Sequence, residues 1–361
     1  YDMDMLRSLS LSLVSVNQVR RGAQENPFGL GVLGYAAASV KLKAGGSYFR
    51  RARQAASKAS DNQRALADVL HLQASYLVSI GQLDDAERVA LESVTVAERL
   101  GDRMSASVGL NIASICDYLR GNLPRMLSRS QSNEAYCSGE HRVLRACSLA
   151  IALSELGQPD KALEALPARG AGDQTPQLRV ARATVLGVVA LAQTRRGALP
   201  EAWAATQECM ALDVAGELVP ASCGIILIGP MQATLQCWSQ ARSTGDNSRI
   251  EEYQRVARSL LRDLRAYGRV CRPGTAIAPY FEGQMRALRG DQAGAQRAWT
   301  RAAEVARTLG MRHYEGLAQL ELGRTAAADS PARTEHLRRA EELLTECGIY
   351  EELSARRAAE S

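Results

Sequence analysis

Apolar and small residues recur every three or four positions along most of the chain, which is the spacing that places them on one face of an α-helix. One such run stops at Gly101 and another at Gly310, and glycine is a common residue at the end of a helix. The apolar positions of these two runs are Ala86, Val89, Ala90, Ser93, Ala97 and Leu100, and Ala295, Ala298, Trp299, Ala302, Val305, Ala306 and Leu309. The pattern predicts moderately long helices, each with one buried stripe.

Glycines interrupt the pattern at nearly regular intervals, at Gly81, Gly121, Gly157, Gly197 and Gly290. The first four are separated by 40, 36 and 40 residues. Glycine adopts the left-handed conformation that ends a helix, and after each of these four a Leu or Pro two residues later begins the next helix. We therefore predict that each glycine is the turn of a helical hairpin, and that the chain is a repeat array.

Small residues stand at fixed distances from these turns. Seven residues before the glycines lie Ala74, Ser114, Ala150, Ala190 and Gly283, and five residues after them lie Ala86, Ala162, Ala202 and Ala295, with Met126 as the exception. Small side chains on facing helices let the helix axes approach closely. This is the small-residue pattern of the tetratricopeptide repeat, in which each hairpin buries its apolar face by stacking on its neighbours.

The prediction is an all-α, tetratricopeptide-like superhelical solenoid of about eight antiparallel helix pairs. We expect the array to cover residues 25–350, after an N-terminal helix or linker at 1–24 and before a C-terminal tail at 351–361. Besides the hairpins at the five glycines, others are predicted at 30–57, 220–268 and 311–347.

The 93 residues between Gly197 and Gly290 must hold two enlarged units, with a turn near Gly245. The helix after Cys223 is rich in Gly and Ile and shows no clear small-residue contact, so this hairpin is expected to be irregular.

Composition narrows the class of protein. Apolar residues make up 46% of the 361 residues but aromatic residues only 5%, which favours a core of Ala, Leu, Val and Ile in closely packed helices. The net charge of +5 is small and scattered, so no nucleic-acid partner is expected. The most apolar run, 224–229, is far shorter than the roughly 20 residues that span a bilayer, and no membrane partner is expected.

The eight cysteines form no C-x-x-C pair, which favours small buried thiols in a reducing cytoplasm. The chain begins at Tyr1, without an initiator Met or a signal segment, and we expect it to be a piece of a longer polypeptide.

Catalytic motifs are weak or missing. Residues 29–34 match G-x-G-x-x-G, but a dinucleotide site needs a preceding strand, and close helix packing is the favoured interpretation. No G-x-x-x-x-G-K-[ST] motif and no nucleophile signature occurs. The four histidines, His71, His141, His313 and His336, lack partners at metal-binding spacing. We predict a protein that is not an enzyme and has no cofactor.

Three stretches, residues 48–102, 290–324 and 336–349, resemble the helical repeat region of bacterial multidomain signalling proteins. Those proteins carry a class III adenylate or guanylate cyclase, or a protein kinase, ahead of a STAND-type ATPase and this array. The likeness covers about residues 25–350, and a more distant one is to the sensor region of MalT-like activators. The resemblance implies an array that senses ligands or partners and restrains the neighbouring ATPase.

Two surfaces are candidates for partner binding. The helix near residues 250–268 is expected to bury Tyr253, Val256, Ala257, Leu260, Leu261, Leu264 and Tyr267. Its other face carries Arg255, Arg258, Arg262, Arg265 and Arg269, spaced three or four apart. Guanidinium groups suit carboxylates and phosphates, so this stripe is either a solvated helix face or a site for an acidic segment or anionic ligand.

The second candidate is the concave groove that stacked hairpins form, which is lined by their first helices and commonly binds peptides. Tyr76, Tyr118, Arg120, Arg142 and Arg145 lie on first helices.

The leading hypothesis is a cytoplasmic sensor and scaffold region that binds a protein segment, foremost the upstream ATPase or effector domains in cis, or a small effector. It would control an attached cyclase, kinase or ATPase. The alternative is a free-standing adaptor that binds peptides or assembles a complex.

Overall fold

The computed structural model describes residues 27–39, 45–57, 63–137, 141–167, 176–214 and 224–349. Within these ranges it contains sixteen α-helices and no strand. In order they are α1 (Pro27–Ser39), α2 (Gly45–Ser57), α3 (Gln63–Ser79), α4 (Leu83–Arg99), α5 (Arg103–Arg120), α6 (Leu123–Ser132), α7 (His141–Glu155), α8 (Pro159–Ala165), α9 (Pro176–Arg196), α10 (Leu199–Ala211), α11 (Gly224–Thr244), α12 (Asn247–Val270), α13 (Gly274–Leu288), α14 (Gln292–Thr308), α15 (Arg312–Thr325) and α16 (Pro331–Cys347).

These helices pack in successive pairs, from α1 with α2 to α15 with α16, and each pair also contacts the next. The prediction of an all-helical repeat array of about eight pairs is confirmed. Residues 1–24 and 351–361 lie outside the described part of the chain.

The five glycines predicted as turns all adopt the left-handed conformation. Their φ angles are +76° at Gly81, +80° at Gly121, +75° at Gly157, +80° at Gly197 and +83° at Gly290. Each glycine amide donates to a carbonyl of the preceding helix, as in the 2.9 Å bond from Gly121 N to Tyr118 O. The predicted hairpin turns are therefore confirmed.

The long interval between the last two of these glycines contains the pair α11 and α12. These helices are joined at Gly245, whose φ is +73°, as the sequence predicts. The side chain of Asp246 then caps α12 by accepting a hydrogen bond from the Arg249 amide. Two enlarged units fill the interval because α11 and α12 are 21 and 24 residues long.

The small residues flanking the turns lie where two helices meet. Ala74, Ala86, Ala150 and Ala190 have no exposed surface, and the same is true of the later alanines of the series. Met126, the exception in the pattern, is also buried, so a larger side chain fills the equivalent space between α5 and α6.

Gly283 shows most directly why a small residue is needed where two helices meet. A Cβ atom placed there would lie 2.3 Å from Nε1 of Trp299, which is fully buried on α14. The indole ring therefore occupies the space that any larger residue at position 283 would need.

The hairpin of α11 and α12, which was expected to be irregular, makes its small-residue contact with the preceding pair. Trp238 stands seven residues before Gly245, where the other pairs have a small residue. A Cβ on Gly229 would instead lie 1.9 Å from the carbonyl oxygen of Gly187, so α11 crosses α9 with the two backbones in direct contact. The hairpin therefore lacks the small-residue contact between its own two helices, as expected, and its close contact is with the neighbouring pair.

The array curves back on itself, so that late pairs touch early ones. The amide of Arg272, at the start of α13, donates a 2.7 Å hydrogen bond to the carbonyl of Ser79 at the end of α3. A Cβ on Gly121 would lie 2.4 Å from Sγ of Cys347 and 3.0 Å from Cβ of His313. Pairs separated by about 200 residues of sequence are therefore in van der Waals contact.

Two other features agree with the sequence analysis. The G-x-G-x-x-G stretch lies in α1, where a Cβ on Gly34 would meet the Phe49 ring at 3.0 Å, so its glycines serve helix packing. Seven cysteines are buried and unpaired, and Cys223 lies outside the described residues. Burial raises the pKa of the Cys116 thiol to about 12. Among the described helices, none has the length and apolar character needed to cross a bilayer.

We expect Gly283→Ala to lower the free energy of unfolding by about 1–3 kcal/mol, the usual effect of overpacking a core. The matched control is Gly46→Ala, since the nearest atom to a Cβ there is the flexible end of Arg50 at 4.0 Å. That change should be neutral or stabilising by up to about 1 kcal/mol, because alanine favours helix. Urea unfolding of both variants is the measurement, and equal stability would contradict close packing at Gly283.

Candidate interaction surface

Helix α12 presents one buried and one charged face. The buried residues are Tyr253, Ala257, Leu260, Leu261, Leu264 and Tyr267. These are the predicted core positions except Val256, which is partly exposed. Tyr253 packs its ring edge-on against Trp203, with 4.7 Å between ring centroids, and this contact fixes the helix on the preceding pair.

The opposite face of α12 is formed by the predicted arginines, all of which are exposed. They are Arg255, Arg258, Arg262, Arg265 and Arg269, and together they are called the arginine face below. Because their spacing alternates between three and four residues, they form one stripe along the helix. The stripe is about 21 Å long at 1.5 Å per residue.

Two members of the arginine face have carboxylate partners. Arg262 lies 3.5 Å from Asp263, and Arg265 lies 2.9 Å from Glu282 on α13. Arg255, Arg258 and Arg269 form no ion pair with any of the described residues. Three guanidinium groups of the stripe are therefore available to a partner.

Glu282 is shared by arginines from three helices. Its carboxylate accepts from Arg265 of α12 at 2.9 Å, from Arg286 of α13 at 3.0 Å and from Arg301 of α14 at 3.1 Å. Burial acts against the charged form, but hydrogen bonds from Arg265 and Arg286 outweigh it, and the pKa of Glu282 is below its ordinary value. Arg286 also pairs with Asp291 at 2.8 Å, so two carboxylates face three arginines and one positive charge is left over.

The positive excess extends over the surface around α12. Residues 247–308 contain twelve arginines and six acidic residues, whereas the whole chain has a net charge of only +5. The rest of the chain is therefore close to neutral. Burial, and then the neighbouring charges of Arg258 and Arg286, lowers the pKa of Arg289. The net positive charge of the chain is therefore concentrated in residues 247–308.

The candidate residues on first helices are placed differently. Tyr76 is partly buried and stacks on Phe49, with 5.3 Å between ring centroids. Arg145 lies 3.7 Å from Glu134 and has little exposed surface. Arg142 is exposed.

Tyr118 and Arg120 do not line an open groove. Tyr118 is buried against α15, with its ring edge-on to His313 at a centroid distance of 6.3 Å. Burial raises the pKa of its phenol, and the nearby carboxylate of Glu155 raises it further. The expected placement of these two residues at a peptide-binding groove is wrong, because the late pairs occupy the inner side of α5.

Arg120 belongs instead to a buried ion-pair network between α4, α5 and α6. It pairs with Glu87 and, at 2.6 Å, with Asp84. Arg125 and Arg129 complete the network by contacting Glu87 and Asp117. Three arginines balance three carboxylates, so this cluster is a neutral structural contact and leaves no charge for a partner.

Sequence reasoning identified the arginine face but not its surroundings. Arg265, Glu282 and Arg301 lie on separate helices, and only the packing of α12, α13 and α14 brings them together. An excess of arginine over residues 247–308 is the one signal in the sequence that indicates this region.

The described residues contain no group of three or more His, Cys, Asp or Glu side chains placed to hold a metal ion. No protein-family model matches the chain, and comparison with curated proteins gives no match either. The interpretation of the site therefore depends on its geometry and charge.

We expect Glu282→Gln to lower the free energy of unfolding by about 1–3 kcal/mol at pH 7, because three arginines lose the charge of their common, buried acceptor. The folded-state pKa of Glu282 is lowered, so its contribution is complete above the ordinary carboxyl value and is lost as pH falls through the folded value. The difference in the free energy of unfolding between this variant and the unsubstituted protein, measured by urea titration, should therefore become smaller at acidic pH.

The control is Glu304→Gln on the exposed side of α14. A change within about 0.5 kcal/mol is expected there. An equal loss in both variants, or no narrowing at low pH, would contradict the role given to Glu282.

Proposed function

We propose that this chain is a non-catalytic, tetratricopeptide-like regulatory array of a cytoplasmic signalling protein, and that it binds an acidic protein segment on the arginine face. The observation that carries the proposal is the exposed stripe of Arg255, Arg258, Arg262, Arg265 and Arg269 on α12. A tetratricopeptide type is supported by the eight helix pairs, the glycine turns within six of them and the buried alanines beside those turns.

The geometry of the stripe favours a helical acidic segment as the partner. Guanidinium groups form paired hydrogen bonds with carboxylates. An α-helix with Glu or Asp at the same alternating spacing would present its carboxylates along the same length of about 21 Å. Three of the five arginines have no carboxylate partner among the described residues, so such a helix would not have to displace existing ion pairs at those positions.

A protein segment fits better than a nucleic acid. Single-stranded nucleic acid is bound in part by stacking on exposed aromatic rings. The large apolar side chains exposed in the described residues, Phe28, Leu100 and Met104, all lie outside α12.

The regulatory part of the proposal follows from the resemblance to bacterial signalling proteins. There the array would bind the neighbouring ATPase or effector domain and control an attached cyclase or kinase. The alternative, a free-standing adaptor, would use the same face to assemble a complex. Reading the coding sequence upstream of Tyr1 separates the two, since a P-loop module supports the first and a start codon at this point supports the second.

The binding part is tested with a labelled helical peptide that carries glutamates at alternating three- and four-residue spacing, measured by fluorescence anisotropy. We expect Arg255→Gln/Arg258→Gln/Arg262→Gln to weaken binding about tenfold or more, since each ion pair contributes up to about 1 kcal/mol. Raising the salt concentration should weaken binding by the unsubstituted protein, because exposed charges are screened.

The matched control replaces three exposed arginines of other helices, Arg50, Arg88 and Arg99, by glutamine. This variant has the same net charge as the first, so it separates the position of the charges from their number. Equal loss in both variants, or equal binding of a peptide with glutamine in place of glutamate, would reject the arginine face as the site.

The regulatory part is tested in the intact protein from which this chain comes. The substitutions at Arg255, Arg258 and Arg262 should change the activity of the attached effector severalfold, and the control substitutions should not. Unchanged activity, together with weakened peptide binding, would reject the regulatory role and leave the adaptor.

A further inference from the structure

The inner sides of the first helices enclose a cavity of about 110 Å³. Side chains from α5, α7, α9, α11 and α13 line it, with Met126 of α6 and Tyr267 of α12. Its walls are mainly apolar, and five isoleucines contribute to them: Ile115, Ile151, Ile225, Ile228 and Ile277. No Lys, Arg, Asp or Glu side chain is among its lining residues.

The amide of Asn111 is an unsatisfied polar group in this wall. Asn111 of α5 is more than nine-tenths buried and lines the cavity. Its Oδ1 accepts a 3.1 Å hydrogen bond from Nδ2 of Asn133, but its own Nδ2 has no acceptor among the described residues. A buried donor without an acceptor is unfavourable, so a molecule that supplies an acceptor binds more tightly than one that does not.

The orientation of the Asn111 amide is fixed by its neighbours. Asn133 donates from Nδ2 to the carbonyl of Ser107 at 3.3 Å, and its Oδ1 accepts from the Cys137 thiol at 3.5 Å. Because these contacts set which end of Asn133 faces Asn111, the oxygen of Asn111 points to Asn133 and its nitrogen is left toward the cavity.

The other polar groups of the wall are hydroxyls. Thr184 donates to the carbonyl of Val180 within its own helix at 2.8 Å. Tyr118, Ser148 and Tyr267 also line the cavity. The hydroxyl of Tyr118 is also buried without a hydrogen-bond partner among the described residues, so the wall offers a ligand two polar groups, this hydroxyl and the amide nitrogen of Asn111.

We propose that this cavity binds a small, uncharged, mainly apolar molecule that presents one hydrogen-bond acceptor, such as a carbonyl oxygen, to Nδ2 of Asn111. An apolar cavity of about 150 Å³ holds benzene, so this one takes a molecule of roughly five or six non-hydrogen atoms. The absence of charged groups from the wall excludes an ionic ligand, whose burial would be uncompensated. The site is separate from the arginine face and does not depend on the proposed function.

The test compares two probes of nearly equal shape, cyclopentanone, which has an acceptor, and methylenecyclopentane, which does not. Binding is measured by thermal shift and by chemical-shift titration of the protein. We expect cyclopentanone to bind about three- to tenfold more tightly, the effect of one hydrogen bond. Equal affinity for the two probes, or no binding of either, would overturn the proposal, and equal affinity would assign the Asn111 amide to a structural water.

Variants separate the amide from the cavity itself. Asn111→Leu should abolish the preference for cyclopentanone while binding of the hydrocarbon persists. Ile115→Phe fills the cavity and should abolish binding of both probes. This second variant tests the site independently if Asn111→Leu folds poorly. Asn247→Leu, the same substitution at an exposed position on α12, should leave both affinities unchanged. A preference that survives Asn111→Leu would reject Asn111 as the donor.

Discussion

The architecture depends on how closely helix backbones approach where side chains are small. At Gly283 the indole of Trp299 occupies the position that a Cβ would take, and at Gly229 and Gly187 two backbones meet directly. Contacts this close let alanine-rich helices bury apolar surface without large side chains, since dispersion forces decline steeply with separation. A chain with few aromatic residues can therefore build a dense core, provided that its small residues fall at the helix crossings.

Local pattern was sufficient for most of the fold. The turns at Gly81 and Gly121, the hairpin joined at Gly245 and the buried alanines beside the turns followed from periodicity and backbone preference. Contacts between distant pairs did not, because nothing in the repeat period specifies how far the superhelix curves. The misplacement of Tyr118 has this cause, because α15 of a late pair packs against its ring.

The two arginine clusters show why composition alone did not locate the candidate site. Around Glu87, three arginines meet three carboxylates and the charges cancel. Around Glu282, three arginines meet two carboxylates, those of Glu282 and Asp291, and one positive charge is left over. The two sets of residues look alike in sequence. Only the packing of the helices determines which cluster has a net positive charge. Along α12 the periodicity did predict which face is exposed, so that part of the site was accessible before the structure.

The contact between early and late pairs has a consequence for how such an array can evolve. In an open solenoid each unit touches only its neighbours, and whole units are gained or lost without disturbing the others. Here the Arg272 amide is bonded to Ser79, and Gly121 packs on Cys347 and His313. Inserting or deleting one hairpin between them would shift every such contact by a full unit. The length of this array is therefore fixed by its curvature, as the number of blades is in a closed ring.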